Sequence, residues 1–235
     1  MEKTKVLYEG KAKIVYECDE PDKLIVFFKD DATAGNGEKK GTIKDKGIIN
    51  NKMSEFFFKY LKTNGIESHY VETLSDREMV VKSLRMIALE VIVRNVAAGS
   101  LAKRLGLPEG TPLKTPVLEY CYKNDELGDP MLNRYHIMAL DLARVHELDD
   151  IEHIAFSVNQ LLINFLKAKN VRLVDFKLEF GRDEHDKIVL ADEISPDNCR
   201  FWDMTTNESL DKDRFRRDLG GVEEAYHEIL TRITA

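Results

Sequence analysis

The chain is 235 residues long, 43% hydrophobic and 33% charged, with a formal net charge of -7. That length and balance describe a globular protein with a substantial core, built as one large domain or as two lobes. The negative charge excludes a nucleic-acid binder that works through a broad basic surface, while leaving room for a local patch that holds a small anion. Cys18, Cys121 and Cys199 are odd in number and far apart, which fits neither a disulfide framework nor a zinc site and points to a reducing, cytoplasmic compartment. The first ten residues hold no apolar signal core and no apolar run is long enough to cross a bilayer, so no membrane is expected.

Alternation of apolar and polar residues marks strands at residues 6–8, 13–18 and 24–28, separated by Glu9-Gly10-Lys11-Ala12 and by residues 19–23, so the chain opens as an antiparallel meander. Residues 30–46 are polar and glycine-bearing and read as a mobile loop. Gly35, Gly37 and Gly41 miss the dinucleotide fingerprint because the third glycine falls one position late. Ile48, Ile49, Met53, Phe56, Phe57, Tyr60 and Leu61 fall at helical spacing and stop before Asn64-Gly65. Strand character returns at 69–74, 79–84 and 87–94, the last rich in β-branched residues. A short helix is expected at 99–105, an irregular connection at 107–116, where three prolines cluster, and another loop at 123–130. The strongest helical stripe runs through Ile151, Ile154, Ala155, Val158, Leu161, Leu162, Phe165 and Leu166, with Asp149 or Asp150 as its N-cap. Residues 173–181 then read as a strand with Asp175, Lys177 and Glu179 on one face and Phe176, Leu178 and Phe180 on the other. A turn at 183–186 and a returning strand at 187–191 bring Asp192 back near the start of that strand. Helices at 212–219 and 222–233, broken by Gly220-Gly221, close the chain.

Several of these segments can carry chemistry, each with a plainer reading beside it. The charged face of 173–181 is either the solvated side of a half-buried sheet or the wall of a polar site. Glu9-Gly10-Lys11-Ala12-Lys13 is either a β-turn with exposed lysines or a strand-turn-strand cover over phosphates, since it lacks the Walker spacing and opens no helix. Arg94 follows a strand, and Ser100 is either an N-cap or, with Arg94 and backbone amides, part of an anion site. Arg200 adds a cation after the hairpin. Arg214, Arg216 and Arg217 form a solvated helix face unless the fold turns Arg214 or Arg216 inward. No H-E-x-x-H or G-x-S-x-G pattern occurs, and His153 reads as structural or exposed.

Taken together, Glu90-Val91-Ile92-Val93-Arg94-Asn95-Val96-Ala97-Ala98-Gly99-Ser100 and Leu173-Val174-Asp175-Phe176-Lys177-Leu178-Glu179-Phe180-Gly181 resemble the two signature segments of the phosphoribosylaminoimidazole-succinocarboxamide (SAICAR) synthetase family. Tyr8-Glu9-Gly10-Lys11-Ala12-Lys13, Asn50-Asn51-Lys52, Lys123-Asn124-Asp125, Asp129-Pro130-Met131, Asp192-Glu193-Ile194-Ser195-Pro196-Asp197 and Asp213-Arg214-Phe215-Arg216 resemble further family segments in the family's order. Ala88 departs from the pattern, where proline is expected, which bears on local backbone geometry.

The resemblance implies an α+β fold of the SAICAR synthase type, similar to ATP-grasp and kinase arrangements: an antiparallel lobe over residues 1–85 above a larger α/β lobe over residues 86–235, with nucleotide in the cleft. It implies an ATP-dependent ligase that joins the carboxylate of carboxyaminoimidazole ribonucleotide (CAIR) to the amine of L-aspartate, through an acyl phosphate, in purine biosynthesis. A small-molecule kinase or a nucleotide-binding regulator would share the lysine turn, and aspartate-dependent ADP release separates these from the ligase. By resemblance, Lys11, Ala12 and Lys13 meet ATP phosphates, and the backbone around Lys82, Leu84 and Met86 meets adenine. Asp192, with Glu179 second, takes Mg²⁺, or Glu179 holds the nucleotide ribose. Arg94, Ser100 and Arg200 suit the ribonucleotide phosphate, with Arg216 nearby; Lys177 suits the imidazole carboxylate and Asp175 a ribose hydroxyl. Lys123 and Asp129 are the candidates for L-aspartate, and the loops at 31–40 and 123–130 would close over the site. A cytoplasmic homo-oligomer, a dimer, is expected, with no nucleic-acid or membrane partner.

Overall fold

The computed structural model describes residues 1–35 and 37–235. Strands β1 (Lys3–Glu9), β2 (Lys13–Cys18) and β3 (Lys23–Phe28) form the expected meander. The polar stretch that follows is not a plain loop. Strands β4 (Asp31–Ala34) and β5 (Lys39–Thr42) pair Asp31 with Thr42 and Ala34 with Lys39, and Gly35 and Gly37 turn between them at positive φ. Such a ladder gives little hydrophobic signal because only Ala32 of these strands is buried. Asn36, within the expected loop, lies outside the described residues.

Helix α1 (Lys46–Thr63) stops at Asn64 as expected and buries Ile49, Met53, Phe57 and Leu61. Strands β6 (Tyr70–Ser75) and β7 (Glu78–Lys82) complete an antiparallel sheet in the order β1-β2-β3-β7-β6. The chain then enters a second sheet through β8 (Arg85–Met86) and β9 (Leu89–Val96), separated by Ile87 and Ala88, and the Ala88 carbonyl accepts the Lys123 N–H at 3.1 Å. Helix α2 (Gly99–Leu105) has the expected bounds. The irregular connection is shorter than the prolines suggested: β10 begins at Pro112 and runs to Tyr122. Pro112 is the first residue of the strand, and the register slips between Pro112↔Val96 and Val117↔Arg94, which takes Pro116 out of the ladder where its missing N–H would break it.

Residues Asp125–Leu127 form a 3₁₀ turn inside the second expected loop, followed by β11 (Met131–Leu132), α3 (Arg134–Ala139) and α4 (Val145–Ala168). The long helix starts earlier than the apolar stripe: Arg144 is its N-cap, and Glu147 accepts the Arg144 N–H at 2.7 Å while pairing with Arg182. Asp149 and Asp150 therefore lie inside the helix. Strand β12 (Val171–Arg182) pairs with β9, with β8, with β13 (Ile188–Ala191) and with β14 (Cys199–Asp203), giving a sheet ordered β11-β10-β9-β12-β13. Ile151, Ala155, Val158 and Leu162 of α4 share one core with Phe176, Leu178 and Phe180 of β12, and burying each such large side chain stabilises the fold by roughly 1.5–3 kcal/mol. Helices α5 (Asp213–Arg216) and α6 (Val222–Thr234) are separated by Gly220 and Gly221, both at positive φ. No described helix is long and apolar enough to cross a membrane.

Candidate active site

The face of β12 that carries Asp175, Lys177 and Glu179 is not solvated: Asp175 and Glu179 are 3% and 2% exposed. Enclosed carboxylates need partners, and lysines supply them. The Lys177 Nζ lies 2.9 Å from Glu179, 3.0 Å from Glu90 and 3.7 Å from Asp192. Lys13 of β2 reaches across from the first sheet to Asp192 and, at 3.1 Å, to Glu193. Lys123 pairs with Glu179 from the loop after β10. Because Ala191 sits opposite Glu179, the hairpin returns Asp192 to the middle of β12 and not to its start. Asp192 adopts a left-handed backbone, φ 66°.

Burial opposes charge on Lys13, yet Asp192 and Glu193 hold its ammonium above the usual lysine range. Lys177 behaves alike through Glu179, Asp192 and Glu90. Burial works against the Asp192 carboxylate too, and Lys13, Lys177 and Lys123 together hold it well below the usual range. Lys13, Lys177 and Asp192 are therefore ionised at neutral pH.

Beside this cluster lies a cavity of about 290 Å³ whose wall is mainly apolar, with Val15, Leu24, Val26, Val81, Leu84 and Met86. Lys82 stands on its rim. Gly181 lets the segment that links the sheets lie against β12, since a Cβ there would come 2.8 Å from the Leu84 Cβ. A charged chamber of about 220 Å³ adjoins it, and Tyr8, Lys13, Lys123, Glu179 and Asp192 line both spaces. Lys11, Ala12 and Asp129 line the chamber as well. Lys11 lies 2.8 Å from Asp125, so the first hairpin touches the 3₁₀ turn across the chamber mouth, and the Asp129 carboxylate closes that loop on the Asn124 N–H at 2.9 Å.

A third space, about 500 Å³, lies between α2 and α5 and is lined by Arg200, Asp213, Arg216 and Arg217. Arg200 pairs with Asp175 at 2.9 Å and Asp213 at 2.8 Å. Arg216 is turned inward on Asp213 at 2.7 Å, and Arg214 folds back on the Ser209 and Gly220 carbonyls; Arg217 stays exposed. Arg94 is more enclosed than Arg200: its three nitrogens donate to Glu119 at 2.7 Å, Asp175 at 3.0 Å and Ser100 at 3.1 Å. Ser100 is not the N-cap, a place taken by Ala98; it sits inside α2 and accepts from Arg94. Gly99 has φ +53°, and a Cβ there would fall 2.7 Å from an Arg200 nitrogen.

Four further residues, three that line these spaces and Glu119 behind Arg94, were not singled out from sequence. Glu90 and Arg94 share a face of β9 by simple alternation, which was readable, whereas Glu119 lies on the strand that the prolines concealed. Glu193 accepts the Ser195 hydroxyl at 2.5 Å beside Lys13. His69 lines the apolar cavity edge-on to Phe58, and burial pushes its pKa down to about 3, so it stays neutral.

The SAICAR synthetase family model matches residues 6–233. The chain belongs to the SAICAR synthetase family. The phosphoribosylaminoimidazole-succinocarboxamide synthase of Caldanaerobacter subterraneus subsp. tengcongensis is 60% identical over 233 residues, 99% of either chain. The crystal structure of the synthase from Ehrlichia chaffeensis matches with a TM-score of 0.96 and 44% identity, covering 98% of this chain and 99% of that one. A SAICAR synthetase in complex with ADP matches with a TM-score of 0.94 and 54% identity over 97% of both chains. The α+β fold is thus that of the SAICAR synthetases, and membership places the chain among the ligases of purine biosynthesis.

Proposed function

We propose that this SAICAR synthetase joins the carboxylate of CAIR to the amine of L-aspartate in the cytoplasm, with ATP cleaved to ADP and phosphate. One observation carries the reading: an apolar slot adjoins a chamber of lysines and carboxylates, and the paired Asp175–Arg200 network leads from β12 to an arginine-lined pocket. Three compartments of that character suit adenine, the reacting groups and a ribonucleotide phosphate. The lobes, 1–85 and 86–235, would close on the nucleotide between them.

A carboxylate is a poor electrophile, so one of its oxygens first attacks the γ-phosphorus and ADP departs. The aspartate nitrogen, after losing a proton, attacks the acyl carbon, and phosphate leaves with the carboxylate oxygen. Lys11 and Lys13 take the ATP phosphates, the backbone at 82–86 takes adenine, and Lys177 orients the CAIR carboxylate. Arg200 and Arg216 hold the ribonucleotide phosphate, with Arg94 and Ser100 behind them fixing Asp175 for a ribose hydroxyl. Lys123 and Asp129 flank the place for L-aspartate. Holding three reactants in line supplies much of the rate by proximity, and closing the mouth keeps water from the acyl phosphate.

The donor set fits Mg²⁺. Seven carboxylates and five lysines line the chamber, so anionic substrates entering it call for further positive charge. Asp192 and Glu179 offer hard oxygen ligands, and no three or more His, Cys, Asp or Glu side chains among the described residues are placed to hold an ion by themselves, so phosphate oxygens would complete the shell. When bound, the ion supplies charge stabilisation to the transferring phosphoryl group. The test is ADP release with ATP, Mg²⁺ and CAIR, with and without L-aspartate, together with the mass of the product. Release that is stoichiometric with a CAIR–aspartate amide is expected; phosphorylated CAIR or another phosphoester as the final product would overturn the reading.

A further inference from the structure

Asp197 ties three elements to the wall of the charged chamber. Its Oδ2 lies 2.8 Å from the Nζ of Lys46, in the first turn of α1, and 3.3 Å from the Nζ of Lys212, at the start of α5. Its Oδ1 accepts the Tyr226 hydroxyl of α6 at 2.7 Å, and its carbonyl accepts from Arg216 at 3.2 Å. Two ammonium groups therefore share one buried carboxylate, and one carboxylate balances only one of them. The two lysines differ in access: the Lys46 side chain is 0% exposed, whereas Lys212 lines the chamber.

The neighbouring charges are already engaged. Glu193 accepts from Ser195 and faces Lys13, Arg216 pairs with Asp213, and Lys177 pairs with Glu90 and Glu179. Lys212 thus faces the chamber with one ion-pair partner among the described residues, a carboxylate it shares with Lys46. Burial holds its ammonium below the usual lysine range, with Asp197 and, more weakly, Glu193 opposing and Lys46 and Arg216 reinforcing that effect. A buried cation without its own anion is costly until an anion arrives. Its chain neighbour Asp213 lines the arginine pocket, so Lys212 stands between the phosphate pocket and the reacting centre.

We propose that Lys212 binds an anionic oxygen of a carboxylate substrate, either the CAIR carboxylate or a carboxylate of L-aspartate, with Asp197 positioning its ammonium and Lys46 competing for the same carboxylate. The assignment rests on the ligase reading and adds a residue to it. Lys46 takes a share of Asp197 away from Lys212 without itself reaching substrate.

The test compares the wild type, Lys212→Met, Lys212→Arg and Lys46→Met, with KM and equilibrium titration measured separately for ATP, CAIR and L-aspartate. Losing one charged hydrogen bond should raise the KM of one carboxylate substrate about 10- to 100-fold in Lys212→Met, with the ATP KM little changed. The substrate that responds identifies the oxygen bound. Lys212→Arg should recover part of the loss. Lys46→Met, which leaves Lys212 balanced by Asp197, should move the same KM in the same direction and keeps the idea testable if Lys212→Met does not fold. Unchanged CAIR and aspartate constants in either Met variant, or equal losses for all three substrates, would overturn the assignment alone. A wild type that makes no amide would refute the ligase reading and the assignment with it.

Discussion

Gly99→Ala perturbs the arginine pocket without removing a charged group. Gly99 sits at φ +53°, and a Cβ there would lie 2.7 Å from an Arg200 Nη and 3.1 Å from its Cζ. Two costs follow. An alanine in the left-handed region costs roughly 1–2 kcal/mol. The guanidinium must also move, and it is held by Asp175 at 2.9 Å and Asp213 at 2.8 Å; weakening one such charged bond costs about 1.5–3 kcal/mol. Gly106→Ala separates these costs, because Gly106 has φ +65° with no atom within 4 Å of its Cβ position. Both variants should lose stability, each kcal/mol appearing as a Tm drop of about 2–4 °C. Only Gly99→Ala should weaken CAIR binding, by about 10-fold or more, with ADP binding unchanged. Isothermal titration of CAIR and ADP into both variants decides the point. Equal CAIR affinities in Gly99→Ala and Gly106→Ala would refute the link between Gly99, the Arg200 position and the ribonucleotide site.

Asp192→Asn should lower kcat about 100-fold or more at saturating Mg²⁺, while asparagine tolerates the left-handed φ of 66° and the circular-dichroism spectrum at 25 °C stays that of a folded protein; near-normal turnover removes Asp192 from the metal role. Asp197→Asn leaves the fully buried Lys46 ammonium without its carboxylate, so urea unfolding should show a loss of about 3–5 kcal/mol; a change below about 1 kcal/mol would contradict that reading. The Arg182 pair, with burial opposing it and the Arg144 N–H assisting, pushes the Glu147 carboxyl from an ordinary 4.5 down to about 2. Its stability contribution is therefore complete above about pH 4.5 and lost as pH falls through about 2. Across that window wild type should lose more unfolding free energy than Glu147→Gln, and equal losses would refute the coupling.

Much of this architecture was legible because local signals agreed. The meander, α1, α2 and the β12–β13 hairpin each combined apolar periodicity with a turn or cap signal at the end. The misses have separate physical causes. β4 and β5 bury almost nothing, so no period marks them; Pro112 and Pro116 disguised β10, although a register slip lets the ladder pass them. The N-terminus of α4 was hidden because Arg144 is an unusual N-cap and Glu147 provides the reciprocal bond. Side-chain alternation placed Asp175, Lys177 and Glu179 on one face but could not tell solvent from an enclosed chamber. That distinction depends on Lys13, 164 positions before Lys177 in the chain, arriving from the other sheet. The same limit hid Lys46 and Lys212, whose shared partner Asp197 is distant in sequence from Lys46.

The central claim is that a substrate carboxylate is activated by ATP before the amine attacks it. The direct measurement is oxygen transfer: CAIR labelled with oxygen-18 in its carboxylate is turned over with ATP, Mg²⁺ and L-aspartate, and the released phosphate is read by phosphorus NMR or mass spectrometry. One labelled oxygen in each phosphate, formed in step with ADP and amide product, is the predicted result. Unlabelled phosphate alongside amide formation would contradict the account.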